Sequence, residues 1–166
     1  MSVELKSANF SNCNRYRYNL VRIWDNSLPQ VGFIGLNPST ADHQKDDPTI
    51  RRCRNFAKSW GYGGMVMVNL FAYRATKPND MMSVSIPVGE LNNRFIIHAS
   101  RQCEKMVACW GTLGSHIGRD IAVTKLLNDL YCIKKTKNGF PSHPLYLKSD
   151  SEIQVYTRHN TTKPRS

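Results

Sequence analysis

The sequence predicts an α/β protein, a three-layer sandwich built on a central, mainly parallel sheet. Two observations carry that expectation. Short continuous apolar runs, Val31-Gly32-Phe33-Ile34 and Met65-Val66-Met67-Val68, have the pattern of strands buried on both faces. These runs alternate with segments of helical character, the order that strand–helix–strand units impose.

The elements follow in order. Asn19 to Trp24 and Gln30 to Leu36 read as strands, and Pro38-Ser39-Thr40 breaks the second into a polar loop. Asp47 stands at a capping position and Pro48 in the first turn of a helix through Thr49 to Trp60, which Gly61-Tyr62-Gly63-Gly64 ends. Met65 to Leu70 is a third strand. A loop from Ala72 to about Pro87 carries Arg74, Lys77 and Pro78. Gly89 to Arg101 reads as a helix, Lys105 to Trp110 as a buried strand, Gly111 to Gly118 as a glycine-punctuated turn, and Arg119 to Leu130 as a helix. A basic turn, the segment Pro141 to Leu147 and a polar tail complete the chain. With no repeat or linker to divide it, residues 1–156 read as one domain and 157–166 as a basic, flexible tail.

Composition narrows the partners. The 166 residues hold 23 Lys plus Arg against 12 Asp plus Glu, a formal charge of +11. Such a field favours polyanions, because each phosphate neutralised releases condensed counterions. A nucleic acid is therefore the expected partner. Five cysteines, odd in number and without a C-x-x-C pair or zinc-finger spacing, are expected to be reduced thiols, and no metal or other cofactor is expected. No apolar run approaches the roughly 18 residues of a membrane span, and Met1-Ser2-Val3-Glu4-Leu5-Lys6 lacks the layout of a signal peptide. A cytoplasmic monomer with no membrane contact is expected.

In open parallel sheets, sites gather at the carboxyl ends of the strands. Those ends here carry Gly35-Leu36-Asn37-Pro38-Ser39-Thr40, Asn69-Leu70-Phe71 and Trp110-Gly111, with His143-Pro144-Leu145-Tyr146-Leu147 further on. Two asparagines, a histidine and a phenylalanine supply hydrogen bonds and a stacking face but no strong nucleophile. Amide side chains match base edges and a ring holds a π-face, so this set suits a planar heterocycle.

The order of these motifs resembles the uracil-DNA glycosylase superfamily. Its first motif, G-Q-D-P-Y or G-I-N-P-G, is similar to Gly35-Leu36-Asn37-Pro38-Ser39; its base-reading strand ends in Asn, as Val66-Met67-Val68-Asn69 does; a later strand ends in W-G, like Trp110-Gly111; and its H-P-S-P-L motif resembles His143 to Leu147. More closely, and over most of its length, the chain resembles a bacterial and phage family of unassigned function. Arg15-Tyr16-Arg17-Tyr18, the N-P-S-T motif, Asp46 to Cys53, Asn69 to Thr76 and H-P-L-Y-L carry that likeness.

The glycosylase resemblance implies roles. Asn37 would position the attacking water, Asn69 would bind the base's Watson–Crick edge, and His143 would stabilise charge on the departing base. Leu147 would wedge into the vacated stack and Phe71 would stack on the extruded base. Gly35, Leu36 and Pro38 would complete the base pocket. Ser39 stands where the uracil-specific branch has an aromatic wall against C5 substituents, which implies a pocket open to C5-substituted pyrimidines. Asp46 or Asp47 would supply a carboxylate if their loop folds back over the site. Arg51, Arg52, Arg74 and Lys77, with Tyr146 beside Leu147, are the candidate DNA contacts.

Each residue also has a plainer reading: Asn37 as a turn residue, Asn69 bonded to loop backbone, His143 as a structural histidine, Asp46-Asp47-Pro48 as a helix start, and Arg51 and Arg52 as an exposed helix face. Three functions therefore stand. The first is a DNA base glycosylase. The second is a non-catalytic nucleotide or modified-base binder using the same pocket. The third is a metal-dependent nuclease built on Asp42, His43, Asp46 and Asp47.

Overall fold

The computed structural model describes residues 3–157; the basic tail beyond Thr157 lies outside the described residues. The elements are β1 (Leu5–Phe10), β2 (Arg17–Ile23), β3 (Gln30–Gly35), α1 (Pro48–Ser59), β4 (Gly64–Asn69), α2 (Pro78–Met82), α3 (Asn92–Gln102), β5 (Lys105–Ala108), α4 (Arg119–Leu126), β6 (Tyr131–Cys132) and β7 (Gln154–Val155). Two short 3-10 helices, Thr112–Gly118 and Pro144–Tyr146, follow β5 and precede β7.

All seven strands join one sheet in the order β1-β2-β4-β3-β5-β6-β7. The four neighbours β4, β3, β5 and β6 run parallel. The β1–β2 and β2–β4 pairs at one side and the β6–β7 pair at the other are antiparallel. The sheet is therefore mixed, where the sequence led us to expect a mainly parallel one. The difference comes from edge strands without a buried-strand signature. Leu5–Phe10 is half-exposed along its length, and β6 and β7 are each 2 residues long, too short to show any period.

The pleat divides the core in two. Met65 and Met67 of β4, Val31 and Phe33 of β3 and Val107 of β5 face α1, which buries Ile50, Cys53, Phe56 and Ala57 against them. Val66, Val68, Ile34 and Ala108 face the other way, onto Ile96 and Ala99 of α3 and Val123 of α4. Helices on both faces of a sheet whose inner strands are apolar throughout make a three-layer arrangement.

Local chemistry sets the boundaries. Asp47 caps α1, its Oδ1 accepting from the Ile50 N–H at 2.9 Å, and Pro48 occupies the first turn. The helix expected over Arg119 to Leu130 stops at Leu126. Leu127 and Leu130 reach the core from the extended chain beyond it.

Two features of β2 shape the site. Arg22, fully buried, pairs through Nε with Asp46 Oδ1 at 2.9 Å and donates through Nη2 to the Asp42 carbonyl at 2.6 Å, which ties the loop after β3 down to the sheet. At the other end, the β1–β2 register slips between Asn9 and Phe10, so that Tyr18 has no direct partner. Such a bulge re-aims the side chains around it. Tyr18 turns toward α3 and stacks on Phe95 at 5.2 Å, while Arg17 turns to the α1 face and donates through Nη1 to the Ala41 carbonyl at 3.0 Å. Among the described residues, no helix is long and apolar enough to cross a membrane.

Candidate functional site

A cavity of about 430 Å³ opens at the carboxyl ends of β3, β4 and β5. The loop after β3, the start of α1, the turn after β5 and the segment His143 to Tyr146 close around it. This brings together nine residues expected from sequence: Gly35, Leu36, Asn37, Pro38, Ser39, Asp47, Asn69, His143 and Tyr146.

Asn69 ends β4 and is 1% exposed, yet neither its Oδ1 nor its Nδ2 has a hydrogen-bond partner. A buried polar group left unmatched typically costs about 1–3 kcal/mol. The parallel register sets Gly35 beside Asn69, and a Cβ on Gly35 would stand 2.6 Å from Asn69 Oδ1. Glycine is what lets the amide lie against the neighbouring strand. The backbone under it is fixed, since Asn92 Nδ2 donates to the Asn69 carbonyl at 2.9 Å and to that of Leu70 at 3.0 Å.

Asn37 is held differently. Its Nδ2 donates to the Pro38 carbonyl at 3.1 Å and the Ala75 carbonyl at 2.9 Å, which uses both amide hydrogens and leaves Oδ1 as the acceptor for a ligand or water. The turn role and the cavity role thus belong to opposite ends of one amide.

His143 Nδ1 accepts from the Leu145 N–H at 3.3 Å, so in the neutral ring Nε2 carries the hydrogen. Burial holds the imidazole below its ordinary value of 6.5, with the nearby Asp47 carboxylate opposing the shift. At neutral pH this is an uncharged donor. Asp47 lines the cavity and commits Oδ1 to the helix cap, which leaves its second oxygen without a side-chain hydrogen bond.

Arg17 also lines the cavity, although it is only 2% exposed. Its Nε has no partner, and burial lowers its guanidinium to about 10 against the opposing pull of the Asp47 carboxylate, which leaves it cationic at neutral pH. Nothing in the sequence separates Arg17 from Arg22. Thr49, Thr112 and Leu145 are further lining residues that sequence reasoning did not single out.

Other expected residues lie elsewhere. Phe71 is buried in the α3–α4 side of the core, its ring 5.5 Å from that of His116, and does not line the cavity. It therefore has no free face on which to stack a base. Leu147 is 8% exposed and packs in the α1 side of the core, so it is no wedge; the apolar tip of that segment is Tyr146, 86% exposed, with Leu145 beside it. Arg52 donates to the carbonyls of Pro144 and Leu147 and lies over the Phe56 ring, which pins the His143 segment onto α1 rather than reaching for a phosphate. Arg51 bonds the Asp46 carbonyl at 3.1 Å from an exposed position. Arg74 bonds the Asn14 carbonyl at 3.0 Å and covers the Phe10 ring. Lys77 is exposed at the start of α2.

The nuclease arrangement does not assemble. Asp42 accepts from the N–H groups of Gln44 and Lys45, Asp46 is shared by Arg22 and Arg54, and Asp47 caps α1. The three carboxylates serve separate structural partners, and no cluster of three or more His, Cys, Asp or Glu able to hold a metal exists among the described residues. All five cysteines are free thiols, and burial pushes that of Cys53, under the site, well above its ordinary value.

Neither a curated protein nor a solved structure matches the chain. Residues 17–145 match the model of a family described as protein of unknown function, DUF1643. That span covers most of the chain and contains Arg17, Asn37, Asp47, Asn69 and His143, and on this match the chain belongs to the DUF1643 family.

Proposed function

We propose that the protein is a DNA base glycosylase that hydrolyses the N-glycosidic bond of a flipped, C5-substituted pyrimidine and leaves an abasic site. The Asn69 amide carries this reading: a buried donor and acceptor, side by side and both unpartnered, at the end of a buried strand. A pyrimidine's Watson–Crick edge offers the complementary pair, as amide side chains and bases commonly do. The motif resemblance to the uracil-DNA glycosylase superfamily supports the same assignment, and the overall charge of +11 suits a DNA partner.

In the reaction the C1′–N bond breaks and its electron pair leaves on the base, where the Nε2–H of His143 donates to the growing negative charge. A water oxygen then bonds to C1′. Asn37 Oδ1 orients that water, and the free oxygen of Asp47 takes its proton, which passes to the departing base. A fixed donor aimed at developing charge is worth about 10²–10³ in rate. Half-buried Ser39 on the cavity wall leaves space beside the ring for a C5 group. Tyr146 and Leu145 form the exposed apolar tip that would meet the opened duplex. The chemistry calls for no metal or cofactor, and a cytoplasmic monomer suffices.

The commitment of both Asn37 amide hydrogens to backbone favours one other reading, a binder that recognises the base through Asn69 without cleaving it. An abasic-site assay in EDTA separates the two, with duplexes carrying uracil, mismatched thymine or C5-modified pyrimidines. Alkali-labile scission is expected, with a loss of about 10²-fold or more in Asn69→Ala and in Asp47→Asn. The latter keeps a competent helix cap, so its loss is chemical rather than structural. Tight, Asn69-dependent binding of one duplex without abasic sites would instead make the protein a reader.

A further inference from the structure

The cavity contains a charge that a neutral base does not require. Arg17 is 2% exposed, makes one side-chain hydrogen bond, to Ala41, leaves Nε unpartnered, and has no ion pair among the described residues. Asp47 shares the cavity with it but commits Oδ1 to the helix cap. The Asp47 carboxylate acts on Arg17 across the cavity but makes no ion-pair contact with it. A buried guanidinium without a directly bonded carboxylate is costly, and its planar fork matches an oxyanion with two parallel hydrogen bonds.

Its position is as specific as its chemistry. The β2–β4 register, with Leu20 opposite Met67, brings the start of β2 alongside the end of β4. The bulge at Tyr18 turns Arg17 to the α1 face of the sheet, and alternation from Met65 and Met67 puts Asn69 on that same face. The unpartnered Arg17 Nε and the unpartnered Asn69 amide therefore come from neighbouring strands on one face of the sheet, and both residues line one cavity.

We infer that the ligand carries an anionic group and that Arg17 is its counter-ion, so that the site selects an acidic pyrimidine derivative over a neutral one of the same shape. This rests on Asn69 reading a base edge. The anion has two possible sources, a carboxylate on the ring, for which C5 is the open position, or the phosphate of a nucleotide.

Calorimetric binding of two matched pairs tests it. The first pair is 5-carboxy- and 5-carbamoyl-2′-deoxyuridine, nearly isosteric and different in charge, each used as a nucleoside and within a short duplex. The second pair is deoxyuridine 5′-monophosphate and deoxyuridine. The carboxylate is expected to bind at least about tenfold more tightly than the carboxamide. That ratio should fall to near one in Arg17→Met, return in part in Arg17→Lys, and survive in Asn69→Ala, which weakens both members together. If the ratio appears only in the second pair, the anion is the phosphate and the inference stands. Ratios near one in both pairs with the wild-type protein, while Asn69→Ala still weakens every probe, overturn the role of Arg17 and leave the base-reading site intact. Failure of all probes to bind, in either form, removes the base-reading site and the inference with it. The wild-type ratios need no variant, so a poorly folding Arg17→Met leaves the test decisive.

Discussion

The two ends of strand β2 each bury an arginine. At one end Arg22 is satisfied from several sides, by the Asp46 carboxylate and by the carbonyls of Val21 and Asp42. At the other, Arg17 touches one carbonyl and otherwise faces a cavity. The same contrast recurs in two asparagines. Asn92 spends its Nδ2 on the carbonyls of Asn69 and Leu70 and so fixes the end of β4, while the Asn69 side chain it supports bonds nothing. A buried polar group that is paired inside the protein holds the fold. One held rigid and left unpaired toward a cavity lowers stability and is kept for something that arrives from outside.

This contrast can be broken by mutation. The largest effect belongs to Arg22→Met, which removes the buried partner of Asp46, leaves that carboxylate only Arg54 and releases the loop over the site. A stability loss of about 3–5 kcal/mol is expected in urea unfolding. Arg17→Met, made in the same strand, should stay within about 1 kcal/mol of the parent, because it deletes a single hydrogen bond, to the Ala41 carbonyl, and a charge without an ion pair among the described residues. Equal losses from the two would refute the distinction.

The asparagines give the next effect. Asn92→Ala leaves the two carbonyls without their shared donor and should cost about 1–3 kcal/mol, whereas Asn69→Ala should be close to neutral and act on ligand binding alone. A thermal-melt comparison suffices, and a larger loss from Asn69 than from Asn92 would mean that its amide is a structural group after all.

The smallest effect concerns pH. The folded His143 titrates below the ordinary 6.5, so between the two values the native state holds fewer protons than the unfolded one. Its contribution to stability is complete above the unfolded value and is lost as pH falls through the folded one. His143→Gln should flatten the acid limb of a stability profile below about pH 6.5. An unchanged limb would assign that loss to other groups.

Much of the fold was legible because its signals are local. Continuous apolar runs exist only where both faces of a strand are covered, and Asp47-Pro48 opens a helix by capping chemistry within four residues. The edge strands were not legible, since a half-exposed segment such as Leu5–Phe10 and pairs of two residues take their structure from a neighbour. The site divides in the same way. Residues directly after apolar runs, Asn37 and Asn69 among them, could be placed at one rim from strand polarity alone. Phe71 and Leu147 could not, because which face a side chain takes after a strand ends depends on the path of the loop. Both turned into the core.

What the sequence alone determined, then, is the order of the inner strands and the long helices between them, the rim where polar residues gather and the sign of the charge, because each depends on residue type and near neighbours. Tertiary structure decided which polar groups find partners. Arg17 and Arg22 are the same residue in the same strand, and Asn69 and Asn92 the same residue across one contact. A one-residue bulge and a register between strands left one of each pair open to the cavity, while hydrogen bonding between groups distant in sequence engaged Arg22 and the Nδ2 of Asn92.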